Sequence, residues 1–180
     1  EPLLPVTLPK SGIRYAPGIK AGGWIFATGL KGGDDLAGGM SPGVLRPGLP
    51  SWDSSKHRRE ADRIFANLAR VLKAGGSDFR NIVRVDQYYT DYRAVEQYHG
   101  ARRAALGAHI PPSTSILQPR FLLAGQDIEV QAIAIAPGKG MRAQHLSAKG
   151  HAIHETSGYS LALAVGDFIF IAGRIADALT

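Results

Sequence analysis

The spacing of apolar residues divides the first half of the chain into a strand, a loop and a helix. An aromatic and β-branched run from Gly23 to Leu30 predicts a buried strand. The segment from Gly32 to Trp52 is rich in Gly, Pro, Asp and Ser, and at about twenty residues it exceeds the usual length of a connection. Ser54 or Ser55 then caps a helix whose apolar residues recur at i, i+3 and i+4 and which ends at Gly75-Gly76.

The following segment predicts three more strands and a second helix. Ile82 to Thr90 alternates as a strand does, and Asp91 caps a helix that stops at Gly107. Ser113 to Leu123 and Asp127 to Pro137 are predicted strands, joined as a hairpin by the turn at 124–126. The predicted order is β-β-α-β-α-β-β, an α+β arrangement with both helices on one face of the sheet.

One stretch of the chain occurs twice. Residues 15–30 read YAPGIKAGGWIFATGL, and residues 159–174 read YSLALAVGDFIFIAGR. Similarity at a fixed offset of about 144 residues predicts a duplicated unit. We therefore expect a complete unit over residues 12–137, a linker over 138–144, and the opening strands of a second unit in 145–180.

Composition adds few constraints. A hydrophobic content of 44% and a charged content of 20% are ordinary for a globular chain. Neither an apolar run of membrane-spanning length nor a secretory signal pattern is present, so we expect a cytoplasmic protein. The absence of cysteine excludes disulfides, thiolate metal sites and thiol catalysis.

The net charge of +6 raises nucleic acid as a partner. The basic residues, however, are spread along two predicted helices among acidic ones, and no stacking aromatics or groove-entering element accompany them. A solvated helix face is therefore favoured over a phosphate-binding stripe.

Three motifs together resemble a known family. The stretches NLARVLKAGGSDFRNIVRVDQYYTD, HIPPSTS and DIEVQAIAIAP are similar, in order and spacing, to the Rid family, which includes reactive intermediate deaminase A and carries the labels YjgF-like and endoribonuclease L-PSP. The resemblance covers roughly Gly12 to Pro137 and resumes after Ser157. It implies a chorismate-mutase-like unit assembled as a trimer, with ligand clefts between units. It also implies, for some members, hydrolysis of enamines and imines to ketones and ammonia without a metal or organic cofactor.

The resemblance assigns a catalytic role to Glu129. This residue matches the family glutamate that handles the attacking water, a task that suits a carboxylate within hydrogen-bond reach of that water. By the period of two, Glu129 shares a strand face with Gln131, Ile133 and Ile135. The alternative is a salt-bridged carboxylate at the rim of the sheet.

Three further residues match the ligand-binding wall of the family cleft. Tyr15 corresponds to the tyrosine that lines the cleft, and Thr28-Gly29 corresponds to a Ser-Gly pair whose hydroxyl and amide contact the ligand. Two hydroxyls and an approachable backbone N–H suit a small carbonyl or imine compound. A core tyrosine and a strand-end glycine remain the structural alternative.

The chain departs from the family at HIPPSTS. Deaminating members carry arginine at the position of Ser113, where it clamps the substrate carboxylate, and commonly cysteine at that of Ser115. Losing a charge-assisted bond worth roughly 1.5 to 3 kcal/mol should weaken binding of amino-acid-derived imines about ten-fold or more. Either the substrate lacks a carboxylate or another guanidinium reaches the cleft. Arg120, on the same predicted strand, and Arg174 are candidates, with surface or structural roles as their alternative.

The second copy predicts unequal clefts. It keeps Tyr159 but has Ala172 where the first copy has Thr28, so we hypothesise that one unit binds ligand while the other completes its cleft.

His151 and His154 have a spacing that suits metal binding on a helix, but their sequence reads as strand, where side chains three apart face opposite ways. A metal site is disfavoured.

Three hypotheses follow for function. The first is a Rid-like, metal-independent hydrolase that deaminates an imine, enamine or related small amino compound. The second is a non-catalytic Rid-type module that binds small metabolites or protein partners, and the third and weakest is a ribonuclease. A homo-oligomer of Rid units is expected, and the remainder of the second unit as a separate chain is a further expected partner.

Overall fold

A computed structural model describes residues 1–7, 12–34, 38–47, 54–109, 111–138, 140–146 and 160–173. The helices are α1 (Pro42–Leu45), α2 (Lys56–Ala74) and α3 (Arg93–Leu106). The strands are β1 (Pro2–Leu3), β2 (Val6–Thr7), β3 (Arg14–Tyr15), β4 (Gly18–Ala21), β5 (Trp24–Leu30), β6 (Ile82–Tyr89), β7 (Ser113–Leu117), β8 (Ile128–Ile135), β9 (Gln144–Leu146), β10 (Ala162–Val165) and β11 (Phe168–Ile171).

Helix α2 confirms the prediction from its apolar stripe. The side chain of Ser55 accepts a hydrogen bond from the backbone N–H of Arg58, which satisfies one of the free donors at the helix start. The stripe is buried, and the helix ends at Ala74 with Gly75 as its C-cap.

Helix α3 begins one residue later than its predicted cap at Asp91 implies. Tyr92 occupies the cap position, while the Asp91 carboxylate accepts the N–H of Arg93 at 2.9 Å.

The main sheet has the strand order β1-β4-β5-β8-β6-β7. The predicted hairpin between the strands starting at Ser113 and Asp127 is wrong. Strand β7 ends at Leu117 and pairs in parallel with β6, while β8 lies between β5 and β6. The physical reason is the crossover through α3, which returns the chain in the direction of β6 and so permits parallel pairing only.

The helices cover one face of this sheet. Apolar side chains of α2 and α3 pack with alternate residues of β5, β6 and β8 in one core cluster. In β8 these helix-facing residues are Ile128, Val130, Ala132 and Ala134. The observed α+β architecture therefore matches the fold class predicted from the sequence. No helix in the described ranges has the length and apolar character needed to cross a membrane.

A second, three-stranded sheet of order β11-β10-β9 packs against the opposite face. Leu163 and Val165 are buried there against Val83 and Ile135. The ring of Trp24 lies 5.5 Å from that of Phe168, centroid to centroid. Strand β10 therefore contributes to the core on this face of the main sheet.

Both copies of the repeated stretch form the same hairpin. Ala21 pairs with Trp24 across a two-residue turn in the first copy, and Val165 pairs with Phe168 across a two-residue turn in the second. The shared register agrees with a duplication. The extent of a second unit stays a prediction, because residues 147–159 and 174–180 lie outside the described ranges.

Candidate functional site

The Glu129 carboxylate lies against the backbone of Gly29. The two residues come from the neighbouring strands β8 and β5, whose pairing is interrupted by an irregularity between Ala27 and Leu30. A Cβ atom added to Gly29 would lie 2.5 Å from Oε1 of Glu129, which is closer than real Cβ atoms approach other heavy atoms. Only glycine therefore leaves room for the carboxylate at this position.

Gln126 orients the same carboxylate. Its Nε2 donates to Oε2 of Glu129 at 3.2 Å and to the carbonyl oxygen of Ile128 at 3.3 Å. Gln126 is buried and Glu129 is half-buried. A carboxylate can accept about four hydrogen bonds, so this arrangement retains capacity for a water molecule.

Tyr15 and Thr28 form a hydrogen-bonded chain beside Gly29. The two hydroxyl oxygens are 2.9 Å apart, and the Thr28 hydroxyl donates to the carbonyl oxygen of Pro17 at 3.3 Å. Because the single Thr28 proton is used in that bond, the Tyr15 hydroxyl is the donor to Thr28. The structure thus brings together Tyr15 with Thr28, and Gly29 with Glu129.

Ser113 and Ser115 lie on the edge strand β7 and accept hydrogen bonds from buried side chains. Nη1 of Arg102 donates to Oγ of Ser113 at 3.3 Å, and Nε2 of Gln87 donates to Oγ of Ser115 at 2.7 Å. Because each hydroxyl oxygen already accepts one bond, its O–H can donate to another group. Each serine hydroxyl therefore keeps a proton that it can donate.

Within one chain the serines and Glu129 lie on opposite faces of the sheet. Glu129 pairs across the strands with Tyr88, whereas Gln87, the partner of Ser115, pairs with helix-facing Val130. Since side chains of successive strand residues alternate between faces, the structure does not bring the two groups together in a single unit.

The guanidinium beside Ser113 belongs to Arg102, which the sequence did not point to. The expectation that Arg120 lies on the strand of Ser113 is wrong: β7 ends at Leu117, because Pro119 cannot donate to a ladder, and Arg120 is exposed in the following loop. Arg174 lies outside the described residues. Arg102 is fully buried in α3, its guanidinium is 5.9 Å from the Tyr98 ring centroid, and burial lowers its pKa.

The second hairpin reaches the start of β7. The N–H of Gly173 donates to the carbonyl oxygen of Ser113 at 3.0 Å, and Arg84 donates to the carbonyl oxygen of Ile171. A Cβ atom on Gly173 would lie 3.0 Å from the Thr114 side chain. Gly173 stands in the second copy where Gly29 stands in the first. Within this chain, therefore, Gly173 of the second copy lies against the edge strand that carries Ser113 and Ser115.

A partly buried polar cluster supports the start of β8. Asp127 binds Lys56, accepts the Thr90 hydroxyl at 2.7 Å, and has Nε2 of His57 at 3.1 Å. Beneath it, Glu60 of α2 is completely buried. This cluster could not be predicted from the sequence, because the helix and strand residues that form it are far apart in the chain.

Arg58 and Arg63 of α2 take part in ion pairs. Nε of Arg58 lies 2.9 Å from a carboxylate oxygen of Asp62, and Nη2 of Arg63 lies 3.3 Å from one of Asp34. Such pairing is typical of a solvated helix face. The histidines His151 and His154, considered as metal ligands from their spacing, lie outside the described residues.

Comparison with curated proteins gives two relatives. Protein DfrA of Myxococcus xanthus is 35% identical over 80 residues, which are 43% of this chain and 58% of the relative's length. The 2-iminobutanoate/2-iminopropanoate deaminase of Rattus norvegicus is 25% identical over 121 residues, which are 67% of this chain and 79% of that protein. The match to DfrA thus spans less than two thirds of its length.

Solved structures share the fold. RidA from an Antarctic Psychrobacter species superposes with a TM-score of 0.53 at 18% identity, covering 72% of this chain and 94% of that protein. A YjgF family member from Neisseria meningitidis gives a TM-score of 0.52 at 16% identity, covering 67% and 86%. At these identities the likeness concerns the fold alone. The family described as Endoribonuclease L-PSP matches residues 7–136, and the chain therefore belongs to this family, the Rid/YjgF group.

Proposed function

We propose that this chain is part of a Rid-like hydrolase that converts an imine or enamine of a small amino compound to a carbonyl compound and ammonia. The observation that carries the proposal is the Glu129 carboxylate, held by Gln126 and seated on Gly29. It is a half-buried acceptor at a strand irregularity, and such irregularities commonly re-aim a side chain beside a functional site. The similarity to an imine deaminase of Rattus norvegicus supports the same reaction class.

The proposed reaction needs only water and a proton carrier. Glu129 accepts a proton from water as the water oxygen bonds to the imine carbon, and the C=N double bond becomes a single bond. The nitrogen takes up two protons, one from Glu129 and one from the new hydroxyl group, whose oxygen forms the C=O bond as the C–N bond breaks and ammonia leaves. Glu129 returns its proton in the second stage, so one carboxylate serves as base and then as acid.

A complete site is proposed to form between two units. Glu129, Gly29, Thr28 and Tyr15 supply one wall, and the donors Ser113 and Ser115 of another unit supply the facing wall. The contact of Gly173 with Ser113 supports this geometry, because it joins the same two surfaces within one chain. That junction has Ala172 in place of Thr28. The wall of the first unit, which has the Thr28 hydroxyl, would then face a partner in a trimer or pseudo-trimer of units.

The edge strand β7, with Ser113 and Ser115, favours a substrate that carries a carboxylate. Each of the two serine hydroxyls keeps a proton that it can donate, and Nη1 of the positively charged Arg102 lies 3.3 Å from Oγ of Ser113. Hydrogen bonds to an ionised acceptor are roughly twice as strong as neutral ones. Arg102 is therefore proposed to take over, through Ser113, the charge complementarity that a direct arginine clamp would provide.

The test is ammonia release from imines generated enzymatically from amino acids. Glu129→Gln keeps the shape of the side chain but cannot accept a proton, so we expect a loss of turnover of about 10²- to 10⁴-fold. Exposed Glu96→Gln, on α3, is the matched control and should behave like the unmodified protein.

The outcomes separate the hypotheses. Full activity in Glu129→Gln would reject the assigned mechanism, while ligand binding without turnover in the unmodified protein would favour a non-catalytic module. In the same assay, Thr28→Ala should lose activity if the wall of the first unit is the functional one. Equal activity in that variant would remove the proposed asymmetry between the copies.

A further inference from the structure

A buried carboxyl group lies beneath the residue proposed to act on water. Glu60 of α2 is 0% exposed, and its Oε1 accepts hydrogen bonds from the backbone N–H of Asp127 at 3.0 Å and of Ile128 at 3.1 Å. Two successive backbone donors thus share one carboxylate oxygen. A buried carboxyl group kept away from water needs such partners, and here they come from the residues that immediately precede Glu129.

These two bonds fix the backbone on which the Glu129 carboxylate depends. Ile128 is the first residue of β8, and Glu129 follows it. Gln126, which donates to Glu129, lies directly before Asp127. The anchored pair Asp127-Ile128 therefore lies between the side chain that holds the carboxylate and the residue that carries it.

Glu60 also lies beside the segment that follows the strand carrying Gly29. A Cβ atom on Gly32, two residues beyond the end of β5, would lie 2.9 Å from Cγ of Glu60. The Glu60 side chain thus lies between the segment that follows β5 and the start of β8. Strands β5 and β8 are the two strands whose separation sets the distance between Gly29 and the Glu129 carboxylate.

We propose that Glu60 is a positioning residue: through Asp127 and Ile128 it holds Glu129 over Gly29. This inference rests on the proposed function, in which Glu129 acts on water. A displacement of about 1 Å in a catalytic group can lower a rate by about a hundred-fold, so a fixed backbone at this point matters for turnover.

The charges around Glu60 make the strength of its hydrogen bonds to Asp127 and Ile128 dependent on pH. Oε2 of Glu60 lies 3.7 Å from Nζ of Lys56, which also binds Asp127, and His57 faces Asp127 from the same helix turn. Burial raises the pKa of Glu60 to about 7, while the bonds from Asp127 and Ile128 and the charge of Lys56 oppose that rise. As the pH increases through 7, Glu60 ionises and becomes the stronger acceptor.

Three variants test the proposal in the imine assay. Glu60→Gln retains an acceptor oxygen but cannot ionise, Glu60→Ala removes the acceptor, and Glu96→Gln controls for loss of a glutamate elsewhere. We expect Glu60→Ala to lower kcat about ten- to a hundred-fold with little change in KM. Glu60→Gln should stay within about three-fold of the unmodified protein at pH 6 and fall behind it by a further few-fold at pH 8.

Equal kcat values for Glu60→Ala and Glu60→Gln across the pH range would overturn the proposal, since the acceptor oxygen would then have no role. If Glu60→Ala does not fold, a ratio between the unmodified protein and Glu60→Gln that is constant from pH 6 to 8 would overturn it. If Glu129→Gln is fully active, the proposed function fails by itself. Amide exchange then decides on Glu60: faster exchange at Asp127 and Ile128 in Glu60→Gln at pH 8 supports the anchoring role, and unchanged rates reject it.

Discussion

At the scale of single residues, Gly29 and Glu129 define each other's position. Glycine is required where it stands because the carboxylate fills the space of its missing side chain. The period of two along β8 correctly placed Glu129 on one face with Ile133 and Ile135, which pack in the cluster away from the helices. Gln126 could not be identified in the same way, because its bond to Glu129 depends on the path of the loop before β8.

Gly29→Ala tests this contact. Its methyl group would lie 2.5 Å from Oε1 of Glu129, so the carboxylate must move and turnover should fall about ten-fold or more, while the fold is kept. Gly39→Ala is the matched control, since a Cβ atom there has no neighbour within 4 Å. Imine turnover and thermal unfolding are measured for both. A Gly29→Ala protein as active as Gly39→Ala would show that the contact is irrelevant to catalysis.

At the scale of secondary structure, the sequence predicts single elements better than it predicts which strands pair. Helix α2 was predictable because its cap, its stripe and its terminal glycine are all encoded within one segment. The partner of β7 was not, because alternation indicates a strand without indicating its neighbour. Pairing was decided by the crossover through α3, which made β7 parallel to β6 and left the central position to β8.

The packing of the second hairpin on the first sheet gives a prediction at this scale. Leu163 of β10 is fully buried, whereas Ile169 of the neighbouring β11 is 61% exposed. Leu163→Ala should lower the free energy of unfolding by about 2 to 5 kcal/mol, and Ile169→Ala by less than about 1 kcal/mol. Urea unfolding measures both. Equal effects would indicate that β10 does not contribute to the core.

At the scale of the whole molecule, the sheet face away from the helices is only partly covered. The hairpin β10–β11 packs over Val83 and Ile135, but Ile19 and Phe26, paired across β4 and β5, remain exposed. An exposed apolar pair beside the proposed catalytic wall is the type of surface that subunit contacts use. It supports the expectation of an oligomer in which a partner completes the cleft.

Phe26→Asp tests this expectation. A charge placed at this 42% exposed position should weaken association, because burying an unpaired carboxylate at a subunit contact is costly. Leu122→Asp, at a loop position that is 98% exposed, is the control and should leave the assembly unchanged. Light scattering after size exclusion gives the mass of each protein. A monomeric unmodified protein, or identical oligomers for all three, would contradict the predicted role of this face.

The sequence by itself determined the order of the main elements, the repeated hairpin and the family, because caps, periodicity and motifs are local or ordered along the chain. Only the tertiary structure decided the strand pairing, the separation of Ser113 and Ser115 from Glu129 by the sheet, and the hydrogen bonds made by Glu60, Gln126 and Arg102. Those features arise where residues distant in the chain meet. Burial and hydrogen-bond partners are properties of the packed molecule, and a pattern along one strand or helix cannot specify them.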